Sequence, residues 1–414
     1  MWISALKSKW VVKKLESVQR LFAIKMIRGF KTISYEAALT LSGLSPIISR
    51  LHERVLSYAA KHPDHYLGTY IPRSHIEDTL QLANTYGINV EDYGKGLVGS
   101  VVTPPHLIKA PNVSTVPLNN YPLFSDNALN IYTDGSKTDF GTGCAFLIFK
   151  SSSSIEHGQS KLGGENSVFQ AERLAIRNSL RHLFKLRIKA CFSDINIFTD
   201  SISSLQSIKD CVAKNQLARD IQKYIGFFSS FTKVTLTWCK GHNNILGNEL
   251  ADFFAKDAIS NPNSIIEMQP PPISHLKKTV REKSGHDWLD RWRTSENGRL
   301  TYNFIPNKVP PHVLKHTLSH KITQVLTGHC RLNFYLSSIG KTLDPVCQCG
   351  QSIETVCHYL WFCKLECENR VNTILKACSM VGIPCPPSPE MLISNKHLFN
   401  ALQQFLKNSS RLDF

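Results

Sequence analysis

The chain has 414 residues, with 48 Lys and Arg against 32 Asp and Glu, so its formal net charge is +16. Hydrophobic residues make up 42% and aromatic residues 9%, which excludes an acidic disordered protein and predicts roughly two to four domains with buried cores. Because no run reaches the ~18 apolar residues of a membrane span, and charges interrupt the N-terminus where a signal peptide is apolar, we expect an intracellular protein, nuclear or cytoplasmic, without membrane contact.

A basic surplus favours nucleic acid as a partner, because basic surfaces displace counterions from phosphate backbones. The surplus is dense in residues 1–31, where Glu16 is the one acid among several Lys and Arg. Apolar residues recur there in steps of three and four at Val11, Leu15, Val18, Phe22 and Met26. This spacing predicts a basic amphipathic helix, whose charged face is either solvated above a core stripe or in contact with nucleic acid.

The sequence predicts four regions, of which three precede residue 261. Residues 1–93 form a helical segment, with additional helices predicted near 35–41 and 46–62, and the Gly- and Pro-rich residues 94–127 form a linker. Strands are predicted at 129–133, 143–149, 155–162, 195–199 and 234–238, and helices at 169–187, 201–210, 218–228 and 246–259. The order βββ, α, β, α, α, β, α predicts an α/β fold with a mixed five-stranded sheet flanked by helices.

Four acids lie at predicted element ends, namely Asp134, Glu172, Asp200 and Asp252. Taken singly, each has a structural explanation as a turn residue, a helix-dipole partner, a helix N-cap or a surface charge. If the strands that lead to Asp134 and Asp200 are neighbours, however, the two carboxylates repel each other unless divalent cations compensate. All-oxygen ligands suit Mg²⁺ or Mn²⁺, so the set predicts a metal site.

The short sequence motifs around these acids match those of a known family and occur in the same order along the chain. They are Tyr132-Thr133-Asp134-Gly135-Ser136, Gln170-Ala171-Glu172, Thr199-Asp200-Ser201, Trp238-Cys239-Lys240-Gly241-His242 and Gly247-Asn248-Glu249-Leu250-Ala251-Asp252. Together they resemble the type 1 ribonuclease H domain over residues 128–260. The resemblance implies a ribonuclease H-like fold in which Asp134, Glu172, Asp200 and Asp252 hold two Mg²⁺ ions, with Mn²⁺ as a substitute.

The resemblance also implies an activity, namely endonucleolytic hydrolysis of the RNA strand of an RNA–DNA hybrid by two metal ions. His242 is then expected to transfer a proton or to assist product release, and its ordinary pKa near 6.5 suits that work. Strand selection requires contact with the 2′-OH of RNA, for which Glu172 and the backbone around Gly135 and Ser136 are candidates, and Ser201 is a further predicted substrate contact. Basic residues along the helix at 169–187 are either phosphate contacts or a solvated face.

The final region, residues 261–414, follows a break at Pro270-Pro271-Pro272 and is predicted to be small, helical and rich in Cys and His. Cys347, Cys349, His358 and Cys363 form a set able to hold Zn²⁺ tetrahedrally. The single residue between the first two cysteines is fewer than the usual two to four, so zinc stays an open alternative here. Cys357 and Cys367 are spare thiols that could replace a ligand.

Head and tail carry a second resemblance. The head runs from Leu15-Glu16-Ser17-Val18-Gln19-Arg20 to Gly43-Leu44-Ser45-Pro46, and the tail contains Leu326-Thr327-Gly328-His329 and Glu354-Thr355-Val356-Cys357-His358. Both are similar to segments of arthropod non-LTR retrotransposon polyproteins, after the reverse transcriptase and after ribonuclease H respectively. No aromatic-x-Asp-Asp polymerase motif is present, so we expect the C-terminal part of such a polyprotein.

Two alternatives to the nuclease stay open. The first is a domesticated or decaying remnant that binds nucleic acid without cleaving it. The second is a zinc-stabilised interaction module around an inert central domain. The sequence does not specify an oligomeric state.

Overall fold

The architecture comes from a computed structural model that describes residues 3–62, 72–95, 112–114, 128–150, 153–186, 192–210, 215–241, 245–314 and 318–413. The chain divides into two compact units, one made of Met1–Arg54 with Val280–Phe414 and the other of Val55–Thr279. The domain boundaries at 93, 127 and 260 stay predictions. Within the described residues, no helix combines the length and apolar character that a membrane crossing requires.

The N-terminal part is helical, as predicted. A short 3₁₀ helix (Ser4–Lys7) precedes α1 (Lys9–Met26), α2 (Tyr35–Ser42), α3 (Ile47–Lys61), α4 (Arg73–Thr85) and α5 (Val90–Gly94). Ser8 and Ser34 cap α1 and α2 by accepting hydrogen bonds from backbone N–H groups of the first turn. Gly43 ends α2 in the left-handed conformation at φ +67°, which a side chain disfavours.

Helix α1 confirms the predicted helix, but the predicted apolar stripe does not face a core along its length. Exposed members of that stripe are Val18 at 52%, Phe22 at 64% and Met26 at 51%. The buried residues are Ala23, about a quarter turn from the stripe, and Ile24, nearly half a turn from it, at the end of the helix that meets the core. Periodicity identified the helix correctly and its buried face wrongly, because apolar residues occupy two faces of α1.

The central region begins with four consecutive strands, and the second, third and fourth confirm predicted strands. The strands and helices in order are β1 (Asn112–Ser114), β2 (Ala128–Thr138), β3 (Gly141–Lys150), β4 (Ser153–Leu162), α6 (Val168–Lys185), β5 (Asp194–Thr199), α7 (Ile202–Lys209), α8 (Gln216–Phe228), β6 (Lys233–Trp238), α9 (Leu246–Ser260) and β7 (Ile265–Ile266). All five predicted strands and four predicted helices are therefore present. Strands β2 and β3 are buried over most of their length and β5 and β6 alternate in part, so apolar runs and alternation were both informative.

The sheet is mixed and has seven strands in the order β1-β6-β5-β2-β3-β4-β7. Strand β2 is central and pairs antiparallel with β3 and parallel with β5, and β5 pairs parallel with β6. The predicted α/β class and mixed sheet are confirmed, but the predicted count of five strands is short by two. The additional edge strands, β1 and β7, have three and two residues, too few to produce an alternating pattern.

Strand β2 also extends further than predicted. The expected strand ended in a turn at Asp134-Gly135-Ser136, but β2 continues to Thr138, because Lys137 and Thr138 still pair with Thr142 and Gly141 of β3. Asp134 is consequently an interior strand residue opposite Ala145, and its explanation as a turn residue is wrong.

The two faces of the sheet carry separate apolar clusters. Leu129 and Ile131 of β2 pack with Ile176 and Leu180 of α6, whereas Tyr132 packs with Ala251 of α9. Because side chains alternate along a strand, Gly135 lies on the α6 face and Asp134 on the α9 face. This alternation determines where the functional side chains emerge.

Residues beyond the sheet are helical, as predicted. They form α10 (Ile273–Thr294), α11 (Arg299–Phe304), α12 (Pro311–Leu314), α13 (His320–Thr327), α14 (Asn333–Ser338), α15 (Cys367–Arg370), α16 (Lys376–Val381), α17 (Pro389–Ser394) and α18 (Lys396–Asn408), with π-helical turns at His358–Phe362 and Val371–Leu375 and a 3₁₀ turn at Lys364–Glu366. One core joins this region to the N-terminal helices, since Ile27 and Leu39 share a buried cluster with Trp292, Leu326 and Phe405. Head and tail are thus parts of one packed body.

Candidate active site

Sheet pairing brings two of the predicted acids together. Thr133 of β2 is paired with Thr199 of β5 in a parallel ladder, so the next residue on each strand, Asp134 and Asp200, emerges at the same level of the sheet. The Trp238 indole donates a hydrogen bond to the backbone oxygen of Asp200 at 3.0 Å, which fixes the turn after β5. Neighbouring parallel strands therefore produce the predicted side-by-side arrangement.

Helix α6 delivers Glu172 to these acids. A capping box in which Ser167 and Gln170 bond each other's backbone N–H groups begins the helix, and Glu172 lies in its second turn instead of the predicted first. Gly135 permits the approach, because a Cβ there would lie 2.5 Å from the Glu172 backbone nitrogen. Because glycine has no Cβ, the backbone of α6 can contact β2 at Gly135.

Asp252 approaches from the other side on α9. Gly247 in the first turn of α9 lies against the Tyr132 ring, where a Cβ would clash at 2.3 Å, so this helix also packs closely on β2. Asp252 is near enough to Asp134 for a side-chain hydrogen bond, and its Oδ2 accepts from Lys256 Nζ at 2.6 Å. Asp134, Glu172 and Asp200 thus form one close group, and Asp252 adjoins this group through Asp134.

Burial and mutual repulsion dominate the electrostatics of this group. Burial, followed by the charges of Asp200 and Asp252, raises the pKa of Asp134 to about 7. Burial, followed by the charges of Asp134 and Asp200, raises the pKa of Glu172 well above its usual range. Without a positive charge among them, these carboxylates resist simultaneous ionisation at neutral pH.

The donor set fits hard divalent cations. One carboxylate oxygen each from Asp134, Glu172 and Asp200 lies within 4.8 Å of the others. The buried Oε2 of Glu172 has no hydrogen-bond partner, although orphaned buried oxygens are costly. A cation that accepts carboxylate oxygens would satisfy that oxygen and remove the repulsion, and Mg²⁺ and Mn²⁺ prefer such ligands.

A comparison with known families decides what this arrangement is. Residues 126–260 match the family model described as RNase H. These residues are an RNase H domain. The match includes strands β2 and β5 and helices α6 and α9, and it confirms the family predicted from the sequence motifs.

Curated relatives support the predicted membership of a retrotransposon polyprotein. The chain is 37% identical over 93 residues, 22% of its length, to the retrovirus-related Pol polyprotein of the type-1 retrotransposable element R1 of Bradysia coprophila. It is 27% identical over 143 residues, 34% of its length, to the corresponding polyprotein of the element R1 4 of Nasonia vitripennis. The chain spans only 9% and 36% of these relatives' own lengths.

Solved structures with a similar fold are also RNase H proteins. RNase H1 of the archaeon Halobacterium salinarum NRC-1 is 17% identical with a TM-score of 0.26, covering 32% of this chain and 98% of its own. LC11-RNase H1 in complex with an RNA/DNA hybrid is 16% identical with a TM-score of 0.27, covering 32% and 99%.

Other predicted residues of the RNase H domain have varied positions. Gly135 is buried beneath α6 and Ser136 is half-buried on β2. The Ser201 hydroxyl caps α7 by accepting from the Ser204 backbone nitrogen, and it also donates to the Ser204 hydroxyl at 2.8 Å. Their contact with substrate stays a prediction. His242 lies outside the described residues, so its role also stays a prediction.

The basic face predicted on α6 is largely occupied within the protein. Arg177 and Arg181 form ion pairs with Glu267 at 2.5 and 2.8 Å, and Arg173 is buried with its guanidinium 3.8 Å from the Phe169 ring centre. Of the two explanations, phosphate contact or solvated face, neither describes these three residues. Internal pairing to the chain that follows α9 was not predictable from the helix alone.

Sequence reasoning missed two residues beside the acids. Lys256 pairs with Asp252, and its position four residues later on a helix was a readable signal. Gly241 lies against Asp200, since a Cβ would be 2.7 Å from its Oδ2. Nothing in the local sequence indicates that second contact.

A separate cluster lies in the other unit, where the structure brings together the four predicted zinc ligands. The Sγ atoms of Cys347 and Cys363 are 3.6 Å apart, and Cys349 Sγ is 3.3 Å from His358 Nε2. All four ligand atoms lie within 4.8 Å of one another. Tetrahedral zinc with ~2.3 Å bonds to sulfur requires S–S separations of roughly 3.8 Å, so the cluster fits the ion.

The spare thiols are not part of this cluster. Cys357 and Cys367 are both exposed and lie outside the four-residue group. The tight single-residue spacing is accommodated by a turn, in which Gly350 adopts φ +71° and its N–H donates to the Cys347 oxygen. A left-handed glycine therefore replaces the longer loop that the spacing lacks.

A buried ion pair supports the cluster from outside. Glu354 is 3.6 Å from Cys347 Sγ, which donates to its Oε1. The guanidinium of Arg411, which lies near the end of the sequence, donates hydrogen bonds to both carboxylate oxygens of Glu354, and the distance from Nε to Oε1 is 2.6 Å. The Asn333 backbone N–H donates to the same carboxylate at 2.7 Å. Neither contact was predicted, because Glu354 lies between the ligands without belonging to the predicted set and Arg411 is remote from them in sequence.

Proposed function

We propose that the chain is an endonuclease that hydrolyses the RNA strand of RNA–DNA hybrids with two divalent cations, as part of a retrotransposon polyprotein. The observation that carries this proposal is the convergence of Asp134, Glu172, Asp200 and Asp252 within an RNase H domain, including a buried Glu172 oxygen without a partner. A domain that only bound nucleic acid would gain nothing from such mutually repelling carboxylates.

The chain's own residues have distinct parts in this reaction. Asp134 neighbours all three other acids, and together with Glu172, Asp200 and Asp252 it would hold the divalent cations. When bound, Mg²⁺ or Mn²⁺ supplies activation of the attacking water and neutralises the charge that develops on the departing 3′ oxygen. The products are then a 5′-phosphate and a 3′-hydroxyl end.

The polyprotein assignment rests on the relatives named above. Their names describe Pol polyproteins of R1 retrotransposable elements, and the aligned part of this chain is a fraction of each. An RNA–DNA hybrid is the substrate expected of an RNase H domain in an element that is copied through RNA. The hybrid is thus the partner we assign to the carboxylate site.

The nuclease is tested with a labelled RNA–DNA hybrid in Mg²⁺ and in EDTA. We expect cleavage only with Mg²⁺, and Asp134→Asn should abolish it while hybrid binding persists. The matched control is Asp139→Asn, five residues away on the exposed turn after β2. Binding without cleavage by the wild-type protein would refute the nuclease and favour the non-catalytic remnant.

We further propose that Cys347, Cys349, His358 and Cys363 hold a structural Zn²⁺ ion. Four protein ligands leave no open position for a substrate, and three of them are buried, which favours a structural site over a catalytic one. Zinc content of the purified protein, measured before and after substitution of these residues, tests this assignment. Protein purified with zinc in the medium but lacking bound zinc would contradict it.

A further inference from the structure

One side of α1 faces solvent along the whole helix and has an unusual composition. The residues of this side, which we call the α1 face, are Lys9, Trp10, Lys13, Lys14, Ser17, Val18, Leu21, Phe22, Lys25 and Met26, and all ten are exposed. Trp10 is 69% exposed and Leu21 48%. Large apolar side chains alternate here with lysines, whereas an ordinary solvated helix side is polar throughout.

The charge of the surrounding segment has one sign. Lys7, Arg28 and Lys31 extend the basic surface beyond the helix ends and are exposed. The one acid of this segment, Glu16, is turned away and forms an ion pair with Arg291 at 2.7 Å. From Lys7 to Thr32, which the structure describes without a gap, no exposed residue is acidic. A polyanion is therefore the complementary partner.

The aromatic side chains distinguish between polyanions. Trp10 and Phe22 are twelve residues apart, about 18 Å along the helix and about a third of a turn around its axis, with Lys13 and Lys14 between them in sequence. Exposed aromatic rings interleaved with basic residues stack on unpaired bases while the cations contact the backbone phosphates. A duplex hides its base faces and would leave both rings in water. A second copy of the chain would bring two basic faces together, which is unfavourable.

We propose that the α1 face binds single-stranded nucleic acid, with bases stacked on Trp10 and Phe22 and phosphates contacted by Lys13, Lys14 and Lys25. This binding is independent of the nuclease, since no residue of the α1 face belongs to the carboxylate site. The face would hold a single-stranded stretch of a nucleic acid that the protein also contacts elsewhere.

The test uses the full chain with Asp134→Asn, so that no substrate is cleaved, and fluorescence anisotropy of a labelled oligothymidylate. Trp10→Ala with Phe22→Ala should weaken binding by about 30-fold or more, since stacking contributes ~1–3 kcal/mol per base and two rings are removed. Lys13→Gln with Lys14→Gln should weaken binding and flatten the salt dependence by roughly 1.4 in log–log slope. Trp10→Phe should retain most of the affinity, because the ring is kept.

Matched controls lie on other exposed surfaces. Phe140→Ala removes a ring that is 89% exposed on the turn after β2, and Lys396→Gln with Lys407→Gln removes two exposed charges of α18. Neither control should change oligothymidylate binding. Equal melting temperatures of all variants would establish that the substitutions act on binding and not on folding.

Three results would overturn the proposal. In the first, the Trp10 and Phe22 variant binds oligothymidylate as tightly as the parent. In the second, a duplex of equal length binds as tightly as the single strand and loses as much on substitution. In the third, a polyglutamate peptide or phosphatidylserine vesicles displace the oligonucleotide at equal charge concentration, which would assign the α1 face to an acidic protein or a lipid surface instead.

Discussion

The two candidate metal sites of this protein are built in opposite ways. The carboxylate site collects four residues that span Asp134 to Asp252 and holds them on paired strands and long helices. The Cys/His cluster collects four residues within Cys347–Cys363, on a turn and a short π-helical segment. One site is distant in sequence and rigid in structure, and the other is local in sequence and has little regular structure.

This difference indicates what each metal does for the protein. Buried strands hold the acids together although their charges repel one another. The RNase H domain therefore folds without the cation, and the cation, when bound, reduces the repulsion. A loop of irregular backbone has few hydrogen bonds of its own, so the metal contributes to folding directly. Four experiments test this contrast, in order of decreasing effect.

Removal of one cluster ligand should have the largest effect. Cys363→Ser should lower the free energy of unfolding of the unit that holds the cluster by more than about 4 kcal/mol, because ligand and metal are lost together. Thermal unfolding and zinc content measure this, with Cys367→Ser, an exposed thiol outside the cluster, as the control. Equal melting temperatures of the two variants would show that the fold there does not need zinc.

The carboxylate site should respond in the opposite direction when its cation is absent. Folding raises the pKa of Asp134 from 3.8 to about 7. The stabilisation from protonation of this carboxyl is therefore complete below about pH 3.8 and is lost as pH rises through about 7. In Mg²⁺-free buffer, stability should fall between pH 5 and pH 8 by on the order of 2 to 3 kcal/mol from this group.

Amide hydrogen exchange in β2 and β5 reports this change on the RNase H domain itself. Asp134→Asn should remove most of the dependence and raise protection at pH 8, and Mg²⁺ should do the same for the wild-type protein. Asp139→Asn should leave the dependence intact. A wild-type domain that is equally protected at both pH values would contradict the repulsion described here.

The buried ion pair beside the cluster should have an intermediate effect. Arg411→Met leaves the Glu354 carboxylate uncompensated next to Cys347, and loss of such outer contacts lowers metal affinity by about 10- to 100-fold. Competition with a coloured zinc chelator measures the affinity. Arg293→Met, which removes an exposed pair with Asp290, is the control and should release zinc at the parental chelator concentration.

The smallest effect is expected at Lys256. Its ion pair with Asp252 is largely exposed on the lysine side, so Lys256→Gln should change stability by less than about 1 kcal/mol. Because the lysine competes with a cation for Asp252, the Mg²⁺ concentration for half-maximal cleavage should fall by up to about fivefold. Lys95→Gln, an exposed pair with Asp92, provides the control. A rise in the required Mg²⁺ would show that Lys256 assists the site.

Much of this contrast was predictable from sequence, and the limits have physical causes. The five main strands follow from alternating and apolar runs, whereas the parallel pairing that aligns Asp134 with Asp200 was a condition of the metal prediction and is found in the structure. The end of β2 was wrong because Gly135 and Ser136 have turn chemistry, whereas cross-strand pairing with β3 keeps them extended. Helix periodicity gave α1 but not its buried side, since apolar residues occupy both sides.

Remote contacts were beyond sequence reasoning at both sites. The spacing of Cys347, Cys349, His358 and Cys363 states the ligands, yet it says nothing about Arg411, which reaches Glu354 only after the chain has folded back. Gly241 beside Asp200 is similar, because a glycine in a loop has many local explanations. The spacing of a motif therefore identifies the metal ligands, whereas tertiary packing determines which other residues contact those ligands.

The shared core of head and tail has a consequence for how the polypeptide matures. Ile27 and Leu39 leave the ribosome hundreds of residues before Phe405, the side chain with which they are buried. The intervening RNase H domain has its own core and can fold first. Until the tail is synthesised, the apolar side chains of the head stay exposed to water. Excising either end leaves half a core, so dissection of this protein should keep residues 1–54 and 280–414 together.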